Sequence, residues 1–293
     1  MIEIIFRSKK DALRLHTLLQ NLLTASGCTD QIHLRYEDHH IGKLQFFHEA
    51  EISIHLLKDA FYEFVIESKM EDWFRTILID QYYYHDEEEQ HQIIEIAQSI
   101  IEGNREDLSS FVPDRNVKES VRKDIHQMIQ PDINFSFDSF VKFRMRSFMD
   151  QLVKYIEISI DEYKMEQEYQ MFVQMLREFL AKRQAKFEEI HVLMNEGVFF
   201  YDESLIEIRN TELRALIDRK LLFHHPVYVD SATIAPLLSI APQTVYLYCD
   251  DEELPLVRTI SNIFEERLTI KPVSAFQTCK DMQELSGQKR EIN

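Results

Sequence analysis

Glycine, proline and cysteine are all scarce in this sequence. Among 293 residues there are only 5 glycines and 7 prolines, the residues that separate the many short strands of a sandwich or barrel. Long, uninterrupted helices are therefore expected. The three cysteines, Cys28, Cys249 and Cys279, are widely spaced and include no C-x-x-C pair. This usage excludes a disulfide-rich scaffold and is typical of a reducing compartment.

Long apolar runs are also missing. No stretch approaches the roughly 20 apolar residues that a bilayer-spanning helix needs. Residues 1–6 are β-branched and apolar, and Arg7, Lys9 and Lys10 follow them, which reverses the order found in a signal peptide. We therefore expect no membrane insertion and a cytoplasmic location.

Positive charge is in deficit. The chain has 51 acidic and 33 basic side chains, a formal net charge of −18 at pH 7, so its mean field repels phosphate backbones and disfavours nucleic-acid binding. One basic stretch, Lys142, Arg144 and Arg146, alternates with phenylalanines. On a helix only Lys142 and Arg146 share a face, so phosphate contact there is the minor interpretation.

The composition that remains, 45% hydrophobic and 29% charged residues, is ordinary for a folded globular protein. Residues 1–50 are predicted to form a β-α-β-β unit, with a helix that ends at Gly27 and a hairpin over 31–47. Residues 51–185 change to helical periodicity. They are predicted to form a helical region.

The carboxy-terminal part changes pattern again. Residues 186–280 are predicted to form an α/β unit that contains a hairpin and, over 244–273, a strand-helix-strand segment with parallel strands. Residues 281–293 are polar and are expected to fray. The predicted fold class is α+β, a predominantly helical middle flanked by small mixed α/β segments at both ends.

The longest helical region lies over 139–183, which has no glycine or proline. We expect a break near Gln167 that produces two antiparallel helices. Arg144 lies beside a broad apolar helix face, so its guanidinium is expected to be partly buried and to pair with Glu166 or Glu168 across that hairpin.

Two segments of this middle carry family signatures. Residues 140–144, FVKFR, and residues 166–172, EQEYQMF, resemble the F-x-x-F-R and E-K-E-Y-x-x-F motifs of the YtxC-like sporulation family of spore-forming Firmicutes. Residues 237–242, LLSIAP, are similar to that family's segment leading into a strand. Gln167 departs from the motif, which has Lys there.

The resemblance implies a link to sporulation, and it brings no catalytic residue, metal or cofactor to transfer. It marks one set of residues as the family signature and as candidate interaction residues. These residues are Phe140, Phe143, Arg144, Glu168, Tyr169 and Phe172.

Two constellations could carry chemistry. Asp250 and Asp251 follow a predicted strand at its carboxyl end, where paired carboxylates can hold Mg²⁺, although capping of the next helix explains them more simply. The other is an E-x-x-H spacing, which di-iron bundles use twice. It occurs at Glu88 and His91, but its second copy, which ends at His191, falls on a predicted strand, so no metal site is predicted.

These features favour a non-enzymatic interaction or regulatory protein that works through its helical middle, with a protein partner whose identity the sequence leaves open. Surplus aromatic residues, 20 Phe and 12 Tyr, support a contact surface. The alternative is a metal- or nucleotide-dependent enzyme or ligand-binding protein that uses Asp250 and Asp251. The oligomeric state stays open.

Overall fold

The computed structural model describes residues 1–27, 31–37, 41–47, 51–112, 117–218 and 232–288. The chain divides into two compact units, Met1–Met165 and Glu166–Asn293. Cys28 lies outside the described residues. Each unit contains one mixed sheet, and the fold class is α+β, as the sequence predicts.

The first unit contains four strands and a series of helices. In chain order these are β1 (Ile2–Phe6), α1 (Lys9–Ala25), β2 (Gln31–Glu37), β3 (Ile41–Phe47), α2 (Glu51–Glu63), a π-helix (Phe64–Lys69), α3 (Met70–Tyr82), α4 (Glu87–Ile101), α5 (Glu106–Ser109), α6 (Val117–Met128), β4 (Asn134–Ser136) and α7 (Phe137–Phe143). The helix α8 (Arg146–Ala181) begins in this unit and ends in the second.

The sheet of the first unit has the strand order β2-β3-β1-β4. The predicted hairpin is confirmed, because β2 and β3 pair antiparallel, and β3 also pairs antiparallel with β1. Strand β1 buries Ile2, Ile4 and Phe6 on one face, as its alternating pattern requires. The strand β4 was not predicted, and it pairs parallel with β1.

A close approach between α1 and β3 depends on Gly42. A Cβ atom added to Gly42 would lie 2.5 Å from the Cβ of Ala12, and both residues are buried. Only glycine lets the helix lie this close to the strand. The helix itself starts at Ser8, whose hydroxyl accepts the backbone N–H of Asp11, as expected of an N-cap.

Phenylalanine rings form the centre of the first unit's core. The ring centroid of Phe61 lies 5.6 to 6.3 Å from those of Phe64, Phe135, Phe137 and Phe140. These edge-to-face contacts join α2, the π-helix, β4 and α7, because each of these elements contributes at least one ring. Much of the aromatic surplus in the composition is therefore used inside this core.

The longest helix corrects the prediction of two antiparallel helices. Helix α8 runs without interruption for 36 residues, and no break occurs near Gln167. The chain instead breaks between α7 and α8, where the carbonyl of Phe140 accepts the backbone N–H groups of both Arg144 and Met145. No glycine or proline marks this break, so sequence punctuation could not reveal it.

The second unit contains the remaining described elements. In chain order they are β5 (Glu189–Met194), β6 (Val198–Tyr201), β7 (Glu207–Ile208), α9 (Asn210–Leu216), α10 (Ile234–Ile240), β8 (Thr244–Tyr248), α11 (Pro255–Phe264), a 3-10 helix (Glu265–Arg267), β9 (Leu268–Lys271) and α12 (Val273–Gln288). Helix α12 continues to Gln288, so the first eight residues of the segment expected to fray are helical.

The second sheet has the strand order β7-β6-β5-β8-β9. The predicted hairpin is confirmed in β5 and β6, which pair antiparallel, and the predicted parallel pair is confirmed in β8 and β9. Strand β5 is parallel to β8. One sheet face buries Ile190, Val192, Val245 and Leu247 in the unit's main core. The opposite face carries His191, which lies beside polar and aromatic side chains.

Candidate functional site

The most exposed part of the predicted family signature lies where α7 meets α8. We call Lys142, Phe143, Arg144 and Arg146 the α7–α8 corner. All four side chains are exposed, and Phe143 is 72% exposed. Water therefore surrounds most of an aromatic ring at this corner.

Two buried apolar residues anchor the α7–α8 corner in the core of the first unit. Phe140 is 3% exposed and Met145 is fully buried, and both belong to the first unit's core. Between these two anchors the helical hydrogen bonding breaks, so Phe143 and Arg144 are left on the outside. The backbone that presents Phe143 to solvent is therefore fixed before a partner binds. This reduces the conformational entropy that is lost on binding.

Arg144 corrects a second prediction. It is exposed rather than partly buried, and it makes no ion pair with another described residue of the first unit. Its backbone N–H instead caps the end of α7 by donating to Phe140. A charge that stays in water needs no buried acidic partner, so its guanidinium is free for an external contact.

Positive charge is concentrated at the corner although the chain as a whole is acidic. Lys142, Arg144 and Arg146 form no ion pair with described residues, and the Nζ atom of Lys142 lies 5.6 Å from the centroid of the Phe143 ring. The first turn of α8 has no acidic residue, so nothing there offsets the positive end of the helix dipole. The corner therefore attracts anionic groups.

The second part of the signature belongs to the second unit and is built differently. Glu168 is exposed, whereas Tyr169 and Phe172 are half-buried and pack against the second unit's core. The hydroxyl of Tyr169 accepts a hydrogen bond of 2.9 Å from the Nδ2 atom of Asn262. These contacts indicate that Tyr169 and Phe172 fix the carboxy-terminal part of α8 against the core of the second unit.

Asp250 and Asp251 lie just after β8. Both are exposed, and each accepts a hydrogen bond from a backbone N–H. Oδ1 of Asp250 accepts the N–H of Val273 at 3.0 Å, and Oδ1 of Asp251 accepts the N–H of Glu253 at 2.9 Å. Asp250 therefore caps α12, and Asp251 closes the turn before α11. Within the described residues, no group of three or more His, Cys, Asp or Glu side chains could hold a metal ion.

A buried polar cluster on the second sheet was missed from the sequence. The Nδ1 atom of His191 lies 3.0 Å from the hydroxyl of Tyr248, and the imidazole stacks 4.9 Å from the ring of Tyr246. The Nζ atom of Lys271 lies 4.2 Å from the Tyr246 ring centroid. The available signal was that His191, Tyr246 and Tyr248 occupy the strand positions between the aliphatic core residues.

The environment of His191 favours its neutral form. Burial lowers the pKa of the His191 imidazole, the positive charge of Lys271 lowers it further, and Asp202 opposes both effects. Burial also raises the pKa of the Tyr248 hydroxyl. Both groups therefore stay uncharged near neutral pH.

A pH-dependent stability of the second unit follows from His191. The unfolded imidazole titrates near the ordinary value of 6.5, whereas the folded one titrates lower. Protons therefore bind the unfolded state first, and stability is complete above about pH 6.5 and falls as the pH drops below it. The protection factors of the β5 and β8 amides against hydrogen exchange, compared at pH 7.5 and 5.5, measure this loss of stability. His191→Gln, which retains a hydrogen-bond partner for Tyr248, is expected to make the loss of stability at low pH smaller. An unchanged pH dependence in that variant would contradict the assignment of this loss to His191.

The chain is an α+β protein, since each unit combines helices with a mixed sheet. The exposed α7–α8 corner is its candidate contact surface. Within the described residues, no helix is both long and apolar enough to cross a membrane. The YtxC-like family model matches residues 55–269, which include both signature segments.

A relative in Bacillus subtilis (strain 168), the uncharacterized protein YtxC, is 34% identical over 276 residues, which cover 94% of this chain and 96% of the relative. The chain belongs to the YtxC-like family. No solved structure matches it.

Proposed function

We propose that this chain is a non-enzymatic interaction protein that acts in sporulation, in the cytoplasm, and docks a protein partner through the α7–α8 corner. The observation that carries the proposal is Phe143, a phenylalanine that is 72% exposed among three cations without ion pairs in the described structure. The link to sporulation rests on the family resemblance.

The chemistry of the corner matches that of protein interfaces. Aromatic residues and arginine are enriched at interface cores and account for most binding hot spots. Phe143 can fill an apolar pocket on a partner, while Arg144 and Arg146 can pair with its carboxylates. A net charge of −18 repels a polyanion such as RNA, which carries a negative charge on every phosphate, more strongly than it repels a protein surface with a few carboxylates. A protein surface that is acidic at the contact is therefore the better match.

The alternative, an enzyme or ligand-binding protein that uses Asp250 and Asp251, has weaker support. Each of these carboxylates has one oxygen bonded to a backbone N–H, which is the role of a cap or turn. The alternative expects Mg²⁺, Mn²⁺ or a nucleotide to raise the melting temperature. The interaction proposal expects no such rise.

Capture from sporulating cells tests the proposal. Tagged chain carrying Phe143→Ala and Arg144→Ala is compared with unmodified chain and with Phe111→Ala, which removes a ring that is 71% exposed and is not part of the family signature. We expect the double variant to lose a specific protein by about tenfold or more, because hot-spot residues carry most of the binding energy.

The Phe111→Ala control is expected to retain that protein. Equal recovery by all three chains, or turnover of a small molecule that depends on Asp250, would contradict the proposal.

A further inference from the structure

A groove in the second unit has chemistry opposite to that of the α7–α8 corner. Its volume is about 400 Å³, and its apolar lining includes Phe187, Ile208 and Leu216. Ile206 also lines it and is 64% exposed. The groove is therefore an apolar surface left open to solvent, and its size lies within the range of ligand pockets, roughly 300 to 1,000 Å³.

The rest of the lining is acidic. Asp202, Glu207 and Glu212 line the groove together with the apolar residues, and none of the described lining residues is a cation. One oxygen of Asp202 accepts two loop N–H groups, and one oxygen of Glu212 bonds the N–H of Arg209. The Glu207 side chain is exposed, and its carboxylate makes no hydrogen bond or ion pair with a described residue, whereas its backbone pairs with that of Tyr201. The groove therefore offers free negative charge beside an apolar surface.

We propose that the α7–α8 corner of one copy docks into this acidic groove of a second copy. The corner offers one exposed aromatic ring among three cations, and the groove offers the exposed Ile206 and half-buried apolar side chains beside three carboxylates. Phe143 would pack against Ile206 and the apolar lining, while Arg144 or Arg146 would pair with Glu207. This inference rests on the proposed function, because it names the partner of the same corner.

Such a contact joins two different surfaces, so it is heterologous. Each added copy leaves one corner and one groove unused, and assembly continues until a ring closes or a chain of copies grows. The net charge of −18 on each copy opposes association. Ions screen this long-range repulsion beyond about 8 Å at physiological salt, whereas the contacting pairs are screened less. The assembly is therefore weak and depends on concentration.

Sedimentation velocity of the full chain over a concentration series tests the inference. The corner variant carries Phe143→Ala and Arg144→Glu, and the groove variant carries Ile206→Ala and Glu207→Lys. All four positions are exposed, so both variants are expected to fold, which circular dichroism verifies. Each variant alone is expected to lose association by about tenfold or more. Phe111→Ala is the control that assembles like the unmodified chain.

Mixing the two variants gives the sharpest result. The corner variant retains its groove and the groove variant retains its corner, so an equimolar mixture is expected to form dimers and nothing larger. A chain that stays monomeric at every concentration, or a groove variant that assembles like the unmodified chain, overturns the inference. If the chain is monomeric but the corner variant still loses a protein from sporulating cells, the proposed function stands and only the second copy is excluded.

Discussion

Phe61→Ala is expected to lower the free energy of unfolding of the first unit by about 3 to 5 kcal/mol, the usual cost of removing a buried phenylalanine. Phe61 is fully buried, and its ring is in contact range of four other phenylalanine rings. Because those rings come from three elements other than α2, the site cannot collapse without moving several of them. The loss should therefore lie near the upper end of that range.

Chemical denaturation followed by Trp73 fluorescence measures this loss, since Trp73 is the only tryptophan of the chain and lies in α3. Phe111→Ala is the matched control, because Phe111 is 71% exposed and its replacement should change stability by less than about 0.5 kcal/mol. Equal effects of the two substitutions would show that Phe61 is not at the centre of the core.

Lys69→Met is expected to cost about 3 kcal/mol in the same measurement, because it leaves a buried carboxylate without its closest cation. The Nζ atom of Lys69, at the end of the π-helix, lies 2.9 Å from Asp11 and 3.2 Å from Asp72. The side chains of Lys69 and Asp11 are each only 11% exposed. The variant keeps Arg14, whose Nη1 atom lies 3.8 Å from Asp11 in the unmodified chain, and this second cation keeps the expected cost at the lower end of the range for buried pairs.

The pKa of Asp72 supports the strength of this network. Burial alone would raise the pKa of the Asp72 carboxyl, but hydrogen bonds from Arg14 and Lys69 outweigh burial and hold the pKa below its usual range. Lys154→Met is the control, since Lys154 is 55% exposed and pairs with Glu157 on one helix surface. It should change stability by no more than about 0.5 kcal/mol, and a similar loss in both variants would contradict the buried network.

Local patterns in the sequence predicted the elements whose contacts are local. The hairpin of β2 and β3, the hairpin of β5 and β6 and the parallel pair of β8 and β9 all follow from period-two alternation and turn residues. The YtxC-like resemblance likewise agrees with the family match. For the two hairpins and the parallel pair, the signal lies within about thirty residues of sequence.

Features that depend on distant contacts were missed. Strand β4 has only three residues, and its partner β1 lies more than 120 positions earlier, so no local pattern indicates it. The break before α8 occurs without glycine or proline because burial of Phe140 and Met145 directs the chain there. The same break explains why Arg144 is exposed.

The candidate site was predicted only in part. The family motif marked Phe143 and Arg144, but the sequence could not show which signature residues are exposed and which are buried. In the sequence, His191 stands out only as part of an E-x-x-H spacing, and its contact with Tyr248 requires the pairing of β5 with β8. The acidic groove likewise depends on β7 and α9, which come together only in the folded unit.

The docking role of the α7–α8 corner is tested most directly by site-specific photo-crosslinking in sporulating cells. A photoreactive amino acid is placed at position 143 and, in a control chain, at position 111, which is equally exposed. We expect one specific protein adduct from position 143, reduced by Arg144→Glu, and no such adduct from position 111. The same adducts from both positions, or nucleic acid as the sole adduct at position 143, would contradict it.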